Sequence, residues 1–184
     1  MHRRHLLGLL DAYRGRYPEE QVRVDRVRRF VETHADCFER TCRDGHVTGS
    51  AWILSADERH VLLVHHRKLV RWLQPGGHAD GEPDPIRVAL REAGEECGLA
   101  ELAVLSDEPL DVDVHAIPAS APEPPHLHYD IRYLLRTPAG REPVASEESI
   151  AVQWFERGRL TALLAEKSLL RMERKTRALL GRPS

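Results

Sequence analysis

The sequence predicts a mixed α/β domain preceded by a helical segment. Short apolar runs of strand character alternate with helical periodicities after Gly45. Helical spacing alone fills the residues before it, and a length of 184 residues suits one domain with an added segment.

Leu6, Leu9, Leu10 and Tyr13 recur at helical spacing, as do Val24, Val27, Val31 and His34 after Pro18. These are two amphipathic helices, the second with arginines on its outer face. Gly45 and Gly49 mark a change of period. Thr48–Leu54 and His60–His65 then read as strands, joined by the turn residues Ala56-Asp57-Glu58-Arg59. The run Val61–Val64 fits a strand buried on both faces. Gln74–Pro83, rich in glycine and proline, reads as loop. A helix is expected over Pro85–Cys97, with Asp84 as N-cap, Pro85 at the first helical position and Gly98 as the left-handed stop. Strands follow around 102–105, 110–117, 127–135 and 150–155, with Pro118–Pro125 a stiff surface loop. From Arg159 the chain is helical, with Leu169, Met172, Thr176 and Leu179 on one stripe. The order implies a mixed sheet covered on both faces. Residues 1–44 are expected to pack on the domain 45–184 as an extension that covers one sheet face or builds a homodimer.

Composition excludes several classes. With 41% hydrophobic and 30% charged residues, the chain has a globular rather than a disordered balance. Apolar runs are only a few residues long, so no membrane span is expected. The basic start Met1–Arg4 precedes too short an apolar stretch for a secretory signal. Cys37, Cys42 and Cys97 are too few and scattered for a disulfide framework, so a cytoplasmic location is expected. A net charge of −2 argues against a partner such as DNA. Lysine supplies only Lys68, Lys167 and Lys175 of the 27 basic residues. Arginine suits phosphate oxygens better, but its use also follows genome base composition.

The chemistry concentrates in Arg91-Glu92-Ala93-Gly94-Glu95-Glu96-Cys97-Gly98. On a helix Glu92, Glu95 and Glu96 share one face, and each like-charged pair costs roughly 0.2–0.5 kcal/mol. They occupy the last turn, where the helix dipole disfavours acids by roughly 0.3–1 kcal/mol each. Gly94 weakens the helix by about 1 kcal/mol more. Two readings stand at this point: a solvated acidic face, or a cation that offsets the repulsion. Clustered oxygen ligands without an adjoining His or Cys ligand favour Mg²⁺ (or Mn²⁺) over zinc, and Mg²⁺ commonly bridges to substrate phosphates.

The wider stretch Gly77-x5-Pro83-x7-Arg91-Glu92-Ala93-Gly94-Glu95-Glu96-Cys97-Gly98-Leu99 resembles the signature box of the Nudix hydrolases, the MutT-like pyrophosphohydrolases: G-x5-E-x7-R-E-U-x-E-E-x-G-U, with U aliphatic. Pro83 stands where the first Glu belongs, with Glu82 one residue early, and Ala93 is small for its position. The box spans residues 77–99, and the likeness extends from the strand pair near Ser50 to Trp154-Phe155. The resemblance implies a Nudix-like α/β/α sandwich and metal-dependent hydrolysis of a pyrophosphate bond in a nucleoside diphosphate linked to another moiety. By the same resemblance Glu95 and Glu96 are the principal metal ligands. Glu92 is a third ligand or the base that orients water, the Gly77 carbonyl is a further ligand, and Arg91 is a structural partner of nearby acids. A further catalytic acid is expected from Glu147 or Glu148, of which Glu148 is the candidate. The alternative is a non-catalytic Nudix-like module that binds a nucleotide or nucleotide sugar as a regulator. The intact set Glu92, Glu95 and Glu96 favours the enzyme.

Substrate contacts are read from the residues themselves. His126, His128 and Asp130 alternate with Leu127, Tyr129 and Ile131, so a strand points all three to one face, as a cleft lining or a wet sheet face. A zinc site there lacks an apparent fourth ligand. His78 adjoins the box glycine and either touches phosphate or caps the loop. Lys68 and Trp72, just ahead of the box, are candidates for phosphate and base, with a core role as the alternative for Trp72.

Overall fold

The computed structural model describes residues 2–119, 124–147, 149–164 and 166–181. Two helices, α1 (Arg3–Arg16) and α2 (Gln21–Thr33), are joined by a 3₁₀ turn at Pro18–Glu20. Then come β1 (Gly45–Leu54), β2 (His60–His66), β3 (Arg71–Leu73), β4 (Gly76–His78), α3 (Pro85–Cys97), β5 (Ala103–Val104), β6 (Asp111–Ile117), β7 (His126–Arg136), β8 (Ser149–Glu156), α4 (Leu160–Leu163) and α5 (Lys167–Leu180).

The strands form one mixed sheet. β1 is central and parallel to β7, with Gly45 opposite Leu127 and Leu54 opposite Arg136. Its other edge is shared: β4 pairs antiparallel with Thr48–Ser50, and β2 with Ile53–Leu54. β3 and β8 extend the sheet from β2, and β5 and β6 from β7.

Side-chain alternation divides the core into two layers. Ala51, Ile53, Leu62 and Val64 belong to one buried cluster, while Trp52, Leu54, Val61 and Leu63 belong to the other. The Val61–Val64 run is therefore buried on both faces. The first cluster lies under α3 and the N-terminal helices, and the second under α4 and α5. This is an α/β/α sandwich. Leu6, Leu10, Tyr13, Val24, Val27 and Val31 are fully buried in the first cluster, and Phe30 stacks on Tyr129 of β7 with centroids 3.9 Å apart. The N-terminal helices thus form part of the main core.

The Asp84 carboxylate accepts from the Ile86 N–H, and Gly98 takes φ 65°, so both ends of α3 follow their capping residues. The stretch expected as loop contains a strand instead, β4. Its signal is easily missed because it carries almost no side chains. Gly77 lies opposite Gly49, and a Cβ on Gly49 would meet the Pro85 carbonyl and Val88 of α3 at 2.5 and 2.7 Å. Glycines here let sheet and box helix touch.

A buried ion network closes the far edge. Asp111 of β6 accepts from Arg132 of β7 and from Arg171 and Lys175 of α5, and Lys175 also meets Glu20 and the Tyr13 hydroxyl. Burial alone would raise the Asp111 pKa, but the Arg171 hydrogen bonds and the Arg132 and Lys175 charges hold it at about 2.

Candidate active site

Among the box acids, Glu92 and Glu96 are each 8% exposed, whereas Glu95 is exposed at the rim. The buried pair meets backbone. Glu96 Oε2 accepts from the Gly76 N–H at 3.1 Å, and the Glu92 carboxylate lies 2.6 Å from where a Cβ on Gly77 would stand. Only glycine permits that approach. Arg91 holds the rim: its guanidinium lies 2.9 Å from Glu92 Oε1 and 3.1 Å from Glu95 Oε2, and donates to the His78 carbonyl.

Burial pushes the Glu92 pKa up to about 7; Arg91 opposes the rise and the Glu95 charge adds to it. Glu92 is thus a buried carboxylate whose protein partners supply too little positive charge. The displaced acid Glu82 does not reach this site. It accepts from the Asp84 N–H at 3.1 Å and faces Arg87, bracing the start of α3.

The 144–146 segment docks on the end of α3, with Val144 N–H on the Cys97 carbonyl and Ser146 N–H on that of Glu96. Glu147 is exposed and its carbonyl accepts from Arg67, while Glu148 lies outside the described residues.

Lys68 is exposed in the β2–β3 turn, where its N–H donates to His66 Nδ1. Trp72 is half-buried, with one indole face stacked on His65 at 4.9 Å and its edge against Phe155. Asp130 lies in the interior rather than on a cleft wall. It is 1% exposed, accepts from Thr48, Ser50 and Gln74, and is paired with Arg132 at 2.7 Å.

His126 and His128 share the sheet face that alternation predicts, and two further strands bring histidines to them. His46 of β1 stands opposite His128 in register, and its ring lies 4.7–4.8 Å from those of His78, His126 and His128. His115 of β6 is the other cross-strand neighbour of His128. Burial lowers the His78 pKa to about 4 and that of His128 to about 2, with neighbouring positive groups and histidines adding to the shift. His46 and His115 escaped the sequence reading because cross-strand pairing is not written in local spacing.

β4 separates the two groups. Gly77 faces Glu92 and α3, and so by alternation the His78 ring faces the histidines on the other side of the sheet.

Comparison with known proteins agrees with this architecture. The family model described as "NUDIX domain" matches residues 45–175. A sequence comparison with curated proteins finds no match. Solved structures of similar fold include a Caenorhabditis elegans Ap4A hydrolase in a binary complex, at 20% identity and TM-score 0.57, covering 73% of this chain and 97% of that one. A NUDIX-family hydrolase from Clostridium perfringens has 24% identity, TM-score 0.57 and the same coverages. A Nudix hydrolase from M. smegmatis has 18% identity and TM-score 0.55, covering 76% of this chain and 88% of that one. These likenesses show the fold, and the family match spans most of the chain, box included. The chain belongs to the NUDIX family.

Proposed function

We propose that the chain hydrolyses a pyrophosphate bond in a nucleoside diphosphate linked to another moiety, with Mg²⁺ or Mn²⁺ held at the box. The observation that carries this reading is the buried Glu92–Glu96 pair against the Gly76–Gly77 backbone, with the Glu92 pKa raised to about 7. Oxygen donors crowded on one helix face and short of positive charge suit a hard divalent ion.

Glu95, Glu96 and Glu92 would hold the ion, with the Gly77 carbonyl as a further donor. Bound there, it supplies charge neutralisation for the diphosphate and a more acidic water. Arg91 orients Glu92 and Glu95, and through the His78 carbonyl it fixes the box helix to β4. Glu92 serves as a third ligand or as the base that orients the attacking water; its raised pKa is that of the metal-free protein. Glu148 remains the candidate for an added catalytic acid. Lys68 and Trp72 are proposed to meet the nucleotide end of a small-molecule substrate in the cytoplasm. His78, His126 and His128 lie on the other side of β4 from Glu92, and no part in the cleavage step itself is proposed for them.

The test is monophosphate or phosphate release from nucleotide sugars, dinucleoside polyphosphates, nucleoside triphosphates and NAD-type compounds, with Mg²⁺, Mn²⁺ or chelator. Turnover that requires the divalent ion and falls at least about 100-fold in Glu96→Gln is expected. Full activity of that variant overturns the ligand assignment. A compound that raises the melting temperature without being cleaved identifies a binding module instead.

A further inference from the structure

The four histidines form a second candidate metal centre, distinct in position and chemistry from the glutamate box. We propose that His46, His78, His126 and His128 bind one transition-metal ion of the Zn²⁺ class. This goes beyond the hydrolase reading and does not depend on it.

Four ring nitrogens, one from each residue, lie within 4.8 Å of one another. Among the described residues no other set of three or more His, Cys, Asp or Glu meets that condition, the box glutamates included. With Zn–N bonds of about 2.0–2.1 Å, a tetrahedral site needs nitrogens about 3.4 Å apart. His126 Nε2 and His128 Nε2 are already 3.2 Å apart. The wider separations close by roughly 1.5 Å, a modest turn of half-buried imidazoles about χ1 and χ2.

The surroundings favour metallation. His126 Nδ1 lies 2.9 Å from the Pro124 carbonyl. Donation there places the ring proton on Nδ1 and leaves the Nε2 lone pair directed at His128, the outer-shell arrangement that orients metal-ligating histidines. His46 is 4% exposed while the other three are half-buried, so the site has a closed floor and an open side. Imidazole ligands suit Zn²⁺, Co²⁺, Ni²⁺ or Cu²⁺ and are poor for Mg²⁺, so the two sites would not compete for one ion.

The ligands come from β1, β4 and β7. An ion there would tie β4, which carries the Gly76–Gly77 cradle and the His78 carbonyl that holds Arg91, to the centre of the sheet. The assigned role is to fix the box loop.

Chelator-treated full-length protein is titrated with Zn²⁺, and separately with Co²⁺, in excess Mg²⁺. One equivalent of Zn²⁺ should bind and raise the melting temperature, and Co²⁺ should give a tetrahedral nitrogen-ligand spectrum. His126→Ala, at a half-exposed position, and His46→Ala should each weaken Zn²⁺ binding at least about 100-fold. If His46→Ala fails to fold, His126→Ala alone decides. Glu96→Gln, which tests the hydrolase reading, should bind Zn²⁺ like the wild type. Substoichiometric Zn²⁺, affinity unchanged in His126→Ala, affinity lost in Glu96→Gln, or thiolate charge-transfer bands with Co²⁺ would each overturn the site.

Discussion

Two buried carboxylates, treated in opposite ways by the fold, separate what holds this molecule together from what it uses. Asp111 is fully buried among Arg132, Arg171 and Lys175 and stays ionised to about pH 2. Glu92 is nearly as buried, but its one ion pair among the described residues is with the half-exposed Arg91, Arg40 acts on it more weakly, and it ionises near 7. Burial cost is similar in kind at both; the supply of positive charge differs. A fully compensated acid needs nothing from outside, whereas an under-compensated one beside open backbone invites a cation.

Breaking the compensated side should have the largest effect on stability. Asp111→Ala removes the carboxylate that three cations share, leaving Arg132 to Asp130 and Asp113, Arg171 to Asp113 and Lys175 to Glu20. Unfolding in denaturant should show a loss of about 3 kcal/mol. The contrast predicts the opposite for Glu92→Gln, whose metal-free stability above pH 7 should equal or exceed that of the wild type.

The pH dependence of that pair sharpens the point. An acid whose folded pKa is raised holds its proton in the fold while the unfolded chain releases it. Stability is therefore present below pH 4.5 and falls as pH rises to about 7, by roughly 2–3 kcal/mol in metal-free protein. His78 and His128, with lowered pKa values, act the other way and cost stability as pH falls below 6.5. The difference between wild type and Glu92→Gln, measured across pH 4–8 by chemical denaturation, isolates the Glu92 slope.

Gly77→Ala tests the cradle. Its Cβ meets the end of a flexible side chain rather than backbone, so folding should lose no more than about 1–2 kcal/mol. Displacing Glu92 should nevertheless abolish the rise in melting temperature with Mg²⁺. Smallest of all, Pro83→Glu should change stability by less than about 1 kcal/mol, because Glu82 already braces the start of α3. A large loss there would mean that Pro83 sets the loop path.

What was legible in the sequence follows the range of the physics. The ends of α3 were readable because Asp84 and Gly98 act on adjacent backbone, and Glu92, Glu95 and Glu96 because helical spacing is local. The two-faced burial of Val61–Val64 was readable from its composition. β4 was not, since a strand of two glycines and a histidine has no hydrophobic pattern; only its pairing with Gly49 and Ser50 defines it. The four histidines stand at residues 46, 78, 126 and 128, and parallel pairing of β1 with β7 is what sets His46 against His128. Asp130 alternates correctly with His126 and His128, yet further along that face Thr48, Ser50, Gln74 and Arg132 enclose it.

The most direct measurement is the titration of the Glu92 carboxyl by ¹³C NMR in protein freed of metal and again with saturating Mg²⁺. A midpoint near 7 is expected without the ion, and a shift well below the ordinary carboxylate value with it. A carboxyl titrating in the ordinary range, or one indifferent to Mg²⁺, would contradict it.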